Sequence, residues 1–130
     1  KQEQKAEKIG RFVQSQISYS YELDEYIKHP LETLLDGVGD CDDFTVLVDA
    51  LFQIAGLETK IVSARRKGEK KGHAFLAVKG DFSGHAYTWD NKKTWFYAFD
   101  PTAKKAKIGW VSDKYKNLSD QNKFDHLVFY

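Results

Sequence analysis

At 130 residues and 15.0 kDa, with 42% hydrophobic and 15% aromatic side chains, the chain can bury one core of its own, which excludes disorder. Its 20 basic and 19 acidic residues leave a net charge of +1 and give no bulk attraction to nucleic acid or an anionic membrane. A single cysteine excludes an internal disulfide framework and argues against a structural zinc site, and no apolar run approaches the ~20 residues that span a bilayer.

No linker, repeat or low-complexity tract interrupts residues 1–130, which read as a single domain. The polar opening "KQEQKAEK" is no signal peptide, and the chain contains no methionine, so a piece excised from a longer protein is expected. Residues 3–17 predict an amphipathic helix: Ala6, Ile9, Val13 and Ile17 recur at helical spacing, with Phe12 beside them. "SYSYELDEYIKHP" is irregular and aromatic-rich. "LETLLDGVGD" predicts one helical turn and a loop.

The stretch "GDCDDFTVLVDALFQIAGL" predicts the central helix, over 41–55. Asp40 is its N-cap, Asp42 and Asp43 suit its first turn, and Gly56 stops it. Its only polar stripe is Asp42, Thr45, Asp49 and Gln53, so the helix is largely buried. After Gly56 the period becomes two. Strands are expected at 57–65 and 73–79 around the basic turn "RRKGEKKG". A hairpin is expected from "GHAYTW" and "TWFYAFD" around "DNKK", and edge strands from "KIGW" and "HLVFY". Helices first and an antiparallel sheet afterwards define an α+β fold.

Cys41 is either a small buried filler or a nucleophile. A helix start favours a thiolate and offers N–H groups to an oxyanion. The neighbouring aspartates oppose the anion unless they turn away. Asp42 and Asp43 lie about 100° and 200° around the helix from Cys41, which makes turning away feasible. A complete site adds a histidine base and a group to orient it.

With the histidines and the Asp-Pro-Thr turn in view, the chain resembles the transglutaminase-like branch of the papain-type cysteine enzymes, of the small archaeal and bacterial type. The matching pieces are "FVQSQISY", "HPLETLLDGVGDCDDFTVLVDALFQIAGL", "GHAFLAV" and "WFYAFDPT", in that order across residues 12–102. The resemblance implies a papain-like core and a Cys–His–Asp triad: Cys41 as nucleophile, His73 as general base, Asp100 as the acid orienting the imidazole. His73 shares a strand face with Phe75 and Ala77, and Asp100 one with Phe96 and Ala98, so both are expected to face the central helix. His85 stands in the same Gly-His-Ala-aromatic context. His73 is preferred because it opens the strand after the one that leaves the central helix. His29 and His126 look structural or solvated.

The resemblance also suggests Gln14 as an oxyanion donor, whereas helical phase places Gln16, not Gln14, on the Ile9–Val13 face. The plain alternative leaves both on the surface. Glu32 is expected to bind donors near the loop before Cys41. No calcium-binding loop is evident, and no cofactor or metal is expected. The implied function is thiol-dependent acyl transfer on amide bonds of a protein or peptide: a protease, amidase or isopeptidase, or a transglutaminase. Hydrolysis is preferred, because transfer to an amine requires a thioester sheltered from water. The alternative is a non-catalytic module of the same fold, with Trp89, Trp95, Tyr97 and Trp110 lining a groove for peptide or glycan. The basic turn reads as a solvated hairpin tip rather than a nucleic-acid contact.

Overall fold

The computed structural model describes residues 2–20, 26–88, 94–103 and 107–130. Helix α1, Gln2–Gln16, buries Ala6, Gly10 and Val13. Its stripe is narrower than the sequence suggests, since Phe12 is half exposed. A short strand β1, Ser18–Tyr19, follows. Helix α2, Pro30–Asp36, is longer than the single turn expected. His29 caps it by accepting the Leu31 N–H on Nδ1 at 3.2 Å, and Pro30 supplies a pre-set φ at the first position. Strand β2, Val38–Gly39, pairs in parallel with β1, placing Tyr19 opposite Gly39. Two residues carry no period, so this pairing has no signature in the sequence.

Helix α3, Cys41–Ile54, begins and ends almost where its local signals dictate. Asp40 and Asp43 form a reciprocal capping box. At the other end Gly56 adopts φ +86°, and the N–H groups of Gly56 and Leu57 donate to Gln53 and Phe52 carbonyls at 3.0 Å. Burying Leu47, Val48 and Phe52 contributes about 1.5–3 kcal/mol each, against about 1 kcal/mol for a cap. Packing therefore holds the helix in place, and the cap fixes where its tip lies.

The sheet contains β3 (Thr59–Arg66), β4 (His73–Lys79), β5 (Ala86–Tyr87), β6 (Phe96–Phe99) and β7 (Phe124–Phe129). Its order is β5-β6-β4-β3-β7, antiparallel throughout. The expected hairpin pairs as β5 and β6, while its "DNKK" turn and Trp89 lie outside the described residues. "HLVFY" falls within and just beyond the edge strand β7, beside β3. "KIGW" forms no strand; Trp110 makes only an isolated parallel bridge to Phe99, and 3₁₀ turns at Asp113–Tyr115 and Gln121–Lys123 follow.

The sheet is covered on both faces. Helices α1 and α3 pack on Leu76, Val78 and Phe99. The opposite face, with Phe75, Ala77, Phe96 and Ala98, packs under Val111, Tyr115 and Leu118. This corrects the expected face: Phe75 and Ala77 point away from α3. Residues 74–78 of β4 are buried without exception, so no polar alternation marked which face meets the helix. The polar stripe of α3 needs a similar correction. Thr45 is fully buried, and its hydroxyl donates to the Ala74 carbonyl at 3.1 Å, docking the helix on β4.

Candidate active site

Cys41 is the first residue of α3 and is partly buried. A helix start leaves four N–H groups without intrahelical acceptors. The capping box engages two of them: Asp43 N–H donates to Asp40 Oδ1 and Asp40 N–H to Asp43 Oδ2, each at 3.2 Å. The N–H groups of Cys41 and Asp42, which flank the sulfur, stay outside that box.

The three aspartates are handled differently from one another. Asp43 turns inward rather than away, and is completely buried. Besides the Asp40 N–H it accepts the Lys28 N–H at 2.9 Å, so its charge is committed to main-chain donors. Asp42 stays partly exposed. Burial and then the Asp43 charge push its carboxyl up, while His73 and His126 pull it down.

His73 opens β4. Its Nε2 lies 2.6 Å from Asp100 Oδ2. Its other polar partner is the Cys41 side chain. Burial pulls the imidazolium pKa down, but the bonds and charges of Asp100 and Cys41 outweigh this and raise it to about 10. Asp100 follows the last residue of β6 and is buried. Its Oδ1 accepts the Thr102 N–H at 3.0 Å and the Thr102 hydroxyl at 2.7 Å. Burial raises its carboxyl, yet the bonds from His73 and Thr102 prevail and hold it below the usual range. A carboxylate only accepts, so Nε2 carries the hydrogen.

His85 stands elsewhere. Its Nε2 is 2.7 Å from the Lys116 carbonyl, and its ring lies edge-on to Tyr87. His126 pairs with Ser63 Oγ at 3.1 Å. Glu32 accepts from the Tyr26 hydroxyl at 2.7 Å rather than from the loop before Cys41.

Gln14, the residue suggested for the oxyanion, turns its amide to the chain after Asp100. Its amide nitrogen donates to the Pro101 carbonyl at 2.9 Å and to the Ala103 carbonyl, which engages both hydrogens. Gln16, the residue favoured by helical phase, is exposed and bonds only its neighbour Ser15 among the described contacts.

Two tyrosines beside the site escaped the sequence reading. Tyr115 is buried, with its ring centroid 5.5 Å from that of His73 and 5.7 Å from that of Phe75. Tyr19 is half exposed and lies 6.0 Å from Phe44. Burial first, then the negative groups at Cys41, Asp40, Asp100 and Asp42, push its phenol up to about 12, so it remains a donor at neutral pH. Only the pairing of Tyr19 with Gly39 brings it here, and no local pattern announces that.

A family model described as the transglutaminase-like superfamily matches residues 1–112. No curated protein matches the chain. Among solved structures, Legionella pneumophila LapG is similar with a TM-score of 0.61 at 22% identity, over 83% of this chain and 58% of that one. Calcium-bound LapG gives 0.59 at 20% identity, over 93% and 60%. EGTA-treated LapG gives 0.59 at 20% identity, over 83% and 61%. The chain thus spans about three-fifths of the length of these LapG structures, and at such identity the likeness is one of fold.

Proposed function

This chain belongs to the transglutaminase-like superfamily, and from that premise we propose that it is a thiol hydrolase of amide bonds in a protein or peptide, working through Cys41, His73 and Asp100. One observation carries the reading: Asp100 holds the His73 ring at 2.6 Å, and Cys41 stands close enough to act on the same ring. An imidazole so held accepts the thiol proton and forms an imidazolium beside a thiolate. The sulfur attacks the carbonyl carbon, and the oxygen becomes an oxyanion facing the N–H groups of Cys41 and Asp42. His73 returns the proton to the departing amine, leaving a thioester on Cys41. Water then attacks, His73 takes its proton, and the acid product leaves as the thiol is restored.

Water is favoured over an amine as acceptor, because transfer to an amine needs a thioester sheltered from water and Cys41 is only partly buried. Calcium is named for one LapG structure. Among the described residues of this chain, no three His, Cys, Asp or Glu side chains are grouped to hold a metal, and no step here runs through one. A binding-module reading draws on Trp95 and Trp110, which are 50% and 49% exposed.

Alkylation by iodoacetamide across pH distinguishes the two. Cys41 of the proposed enzyme reacts well below the pH at which a free thiol does, and His73→Ala removes that behaviour. A cysteine that reacts only in unfolded protein would leave the binding module. Incubation with casein and a labelled primary amine then reports the acceptor: the hydrolase releases peptides without incorporating label.

A further inference from the structure

We propose that Gln14 is a positioning residue, which acts on His73 through the turn that carries Asp100. The inference rests on the proposed role of His73 and Asp100. The amide of Gln14, in the last turn of α1, bridges the carbonyls of Pro101 and Ala103. These residues flank Thr102, whose N–H and hydroxyl hold Asp100 Oδ1. The turn closes on itself through Ala103 N–H to the Asp100 carbonyl at 3.1 Å. With Oδ1 engaged by Thr102, Oδ2 is directed at His73. Helix α1 meets the same stretch again at Glu7, whose carboxylate accepts the Ile108 N–H at 3.4 Å.

A glutamine suits this place because two carbonyls 87 and 89 positions away in the chain need two hydrogens from one planar group. A turn left unheld would let the Asp100 carboxylate rotate, and small misplacements of an orienting group are costly to catalysis. The charged or titratable groups that face His73 are Cys41 and Asp42 from α3, Asp100 after β6 and Tyr115 from its 3₁₀ turn. Of these, Asp100 is the one that Gln14 positions.

The test replaces Gln14 by Met, which keeps the length and removes both donors, with Gln16→Met as the control. Folding is checked by thermal melts. Should Gln14→Met not fold, Gln14→Asn, which withdraws the amide by one methylene, carries the same comparison. The His73 ring is titrated by NMR, and iodoacetamide alkylation of Cys41 is followed against pH. The expected result is a His73 titration moved down by about one unit or more. The acidic limb of alkylation moves up with it, and kcat falls about tenfold or more at little-changed KM. Gln16→Met leaves all three in place. Alkylation displaces iodide and builds no oxyanion. A Gln14 variant with depressed kcat but the wild-type His73 titration and alkylation profile is therefore an oxyanion donor, and that overturns the proposal. An unmoved His73 titration in folded variant protein overturns it under any activity. The titration reads the coupling even if wild-type Cys41 alkylates as an ordinary thiol, so failure of the enzyme reading is seen separately.

Discussion

Asp100 divides its two oxygens between two tasks, and the division makes its chemistry directional. Oδ1 is saturated by Thr102 and Oδ2 is given to His73. Replacing Asp100 by Asn keeps the shape but offers the ring a neutral partner. The expected loss in kcat is about 10²–10⁴-fold, read from steady-state rates on a peptide substrate. Stability follows the same pair. The His73 pKa is raised from 6.5 to about 10, so its contribution is complete below about 6.5 and disappears as pH climbs toward 10. The Asp100 value is lowered from 3.8, so its share is present above that value and is lost as the solution is acidified. Urea titrations should show wild type exceeding Asp100→Asn most near pH 5–6, with the gap narrowing as pH rises toward about 10. This pair was legible only through the family resemblance, carried by a Gly-His-Ala strand start and an Asp-Pro-Thr strand exit. Local context could not separate His73 from His85. Chain topology separates them: β4 begins beside the tip of α3, whereas His85 is held against the Lys116 carbonyl.

The tip of α3 shows what an element contributes that its residues do not. The sequence located both ends of the helix, because Asp40 and Gly56 act within a few residues of themselves. It did not show that Asp43 is turned inward, because the Lys28 N–H that meets it comes from an irregular segment with no period to read. Removing that carboxylate by Asp43→Ala leaves the buried Asp40 and Lys28 N–H groups without their acceptor. At about 1–3 kcal/mol for each unsatisfied donor, the expected cost is about 2–6 kcal/mol, measured by urea denaturation. Asp42→Asn, at a partly exposed position outside the box, should cost no more than about 0.5 kcal/mol. The same comparison separates two meanings of an acidic flank. If the aspartates served the sulfur only by their charge, the two variants would change alkylation of Cys41 alike. The capping geometry expects Asp43→Ala to be the more damaging, since it loosens the helix start on which the sulfur stands.

At the scale of the molecule, the site depends on a covering layer that the sequence hardly signals. Residues 107–118 form no regular strand, yet they close the second face of the sheet and set Tyr115 beside His73. The layer is pinned where two backbones nearly touch. Gly109 has φ +94°, and a Cβ built there would stand 2.0 Å from the Ser83 carbonyl oxygen and 2.8 Å from Gly84 Cα. His85 N–H donates to the Gly109 carbonyl at 2.8 Å, and Gly109 N–H donates to the Ala98 carbonyl at 2.7 Å. Alanine at 109 thus meets an unfavourable backbone conformation and a collision with main chain that no rotamer relieves. Gly56 also has a positive φ, +86°, but open space where its Cβ would be. Gly56→Ala should therefore cost about 1 kcal/mol, from conformation alone. Gly109→Ala should cost about 3 kcal/mol or more, because the two backbone segments must also part. Thermal melts of the two variants give the comparison. The Gly109 variant has a second expected signature at the site. Displacing residues 109–115 withdraws Tyr115 from the imidazole, so the His73 titration should shift in Gly109→Ala and stay in place in Gly56→Ala. If both glycines prove equally tolerant, the close approach of residues 83–84 to Gly109 does not hold the layer, and the link from that layer to the imidazole fails with it.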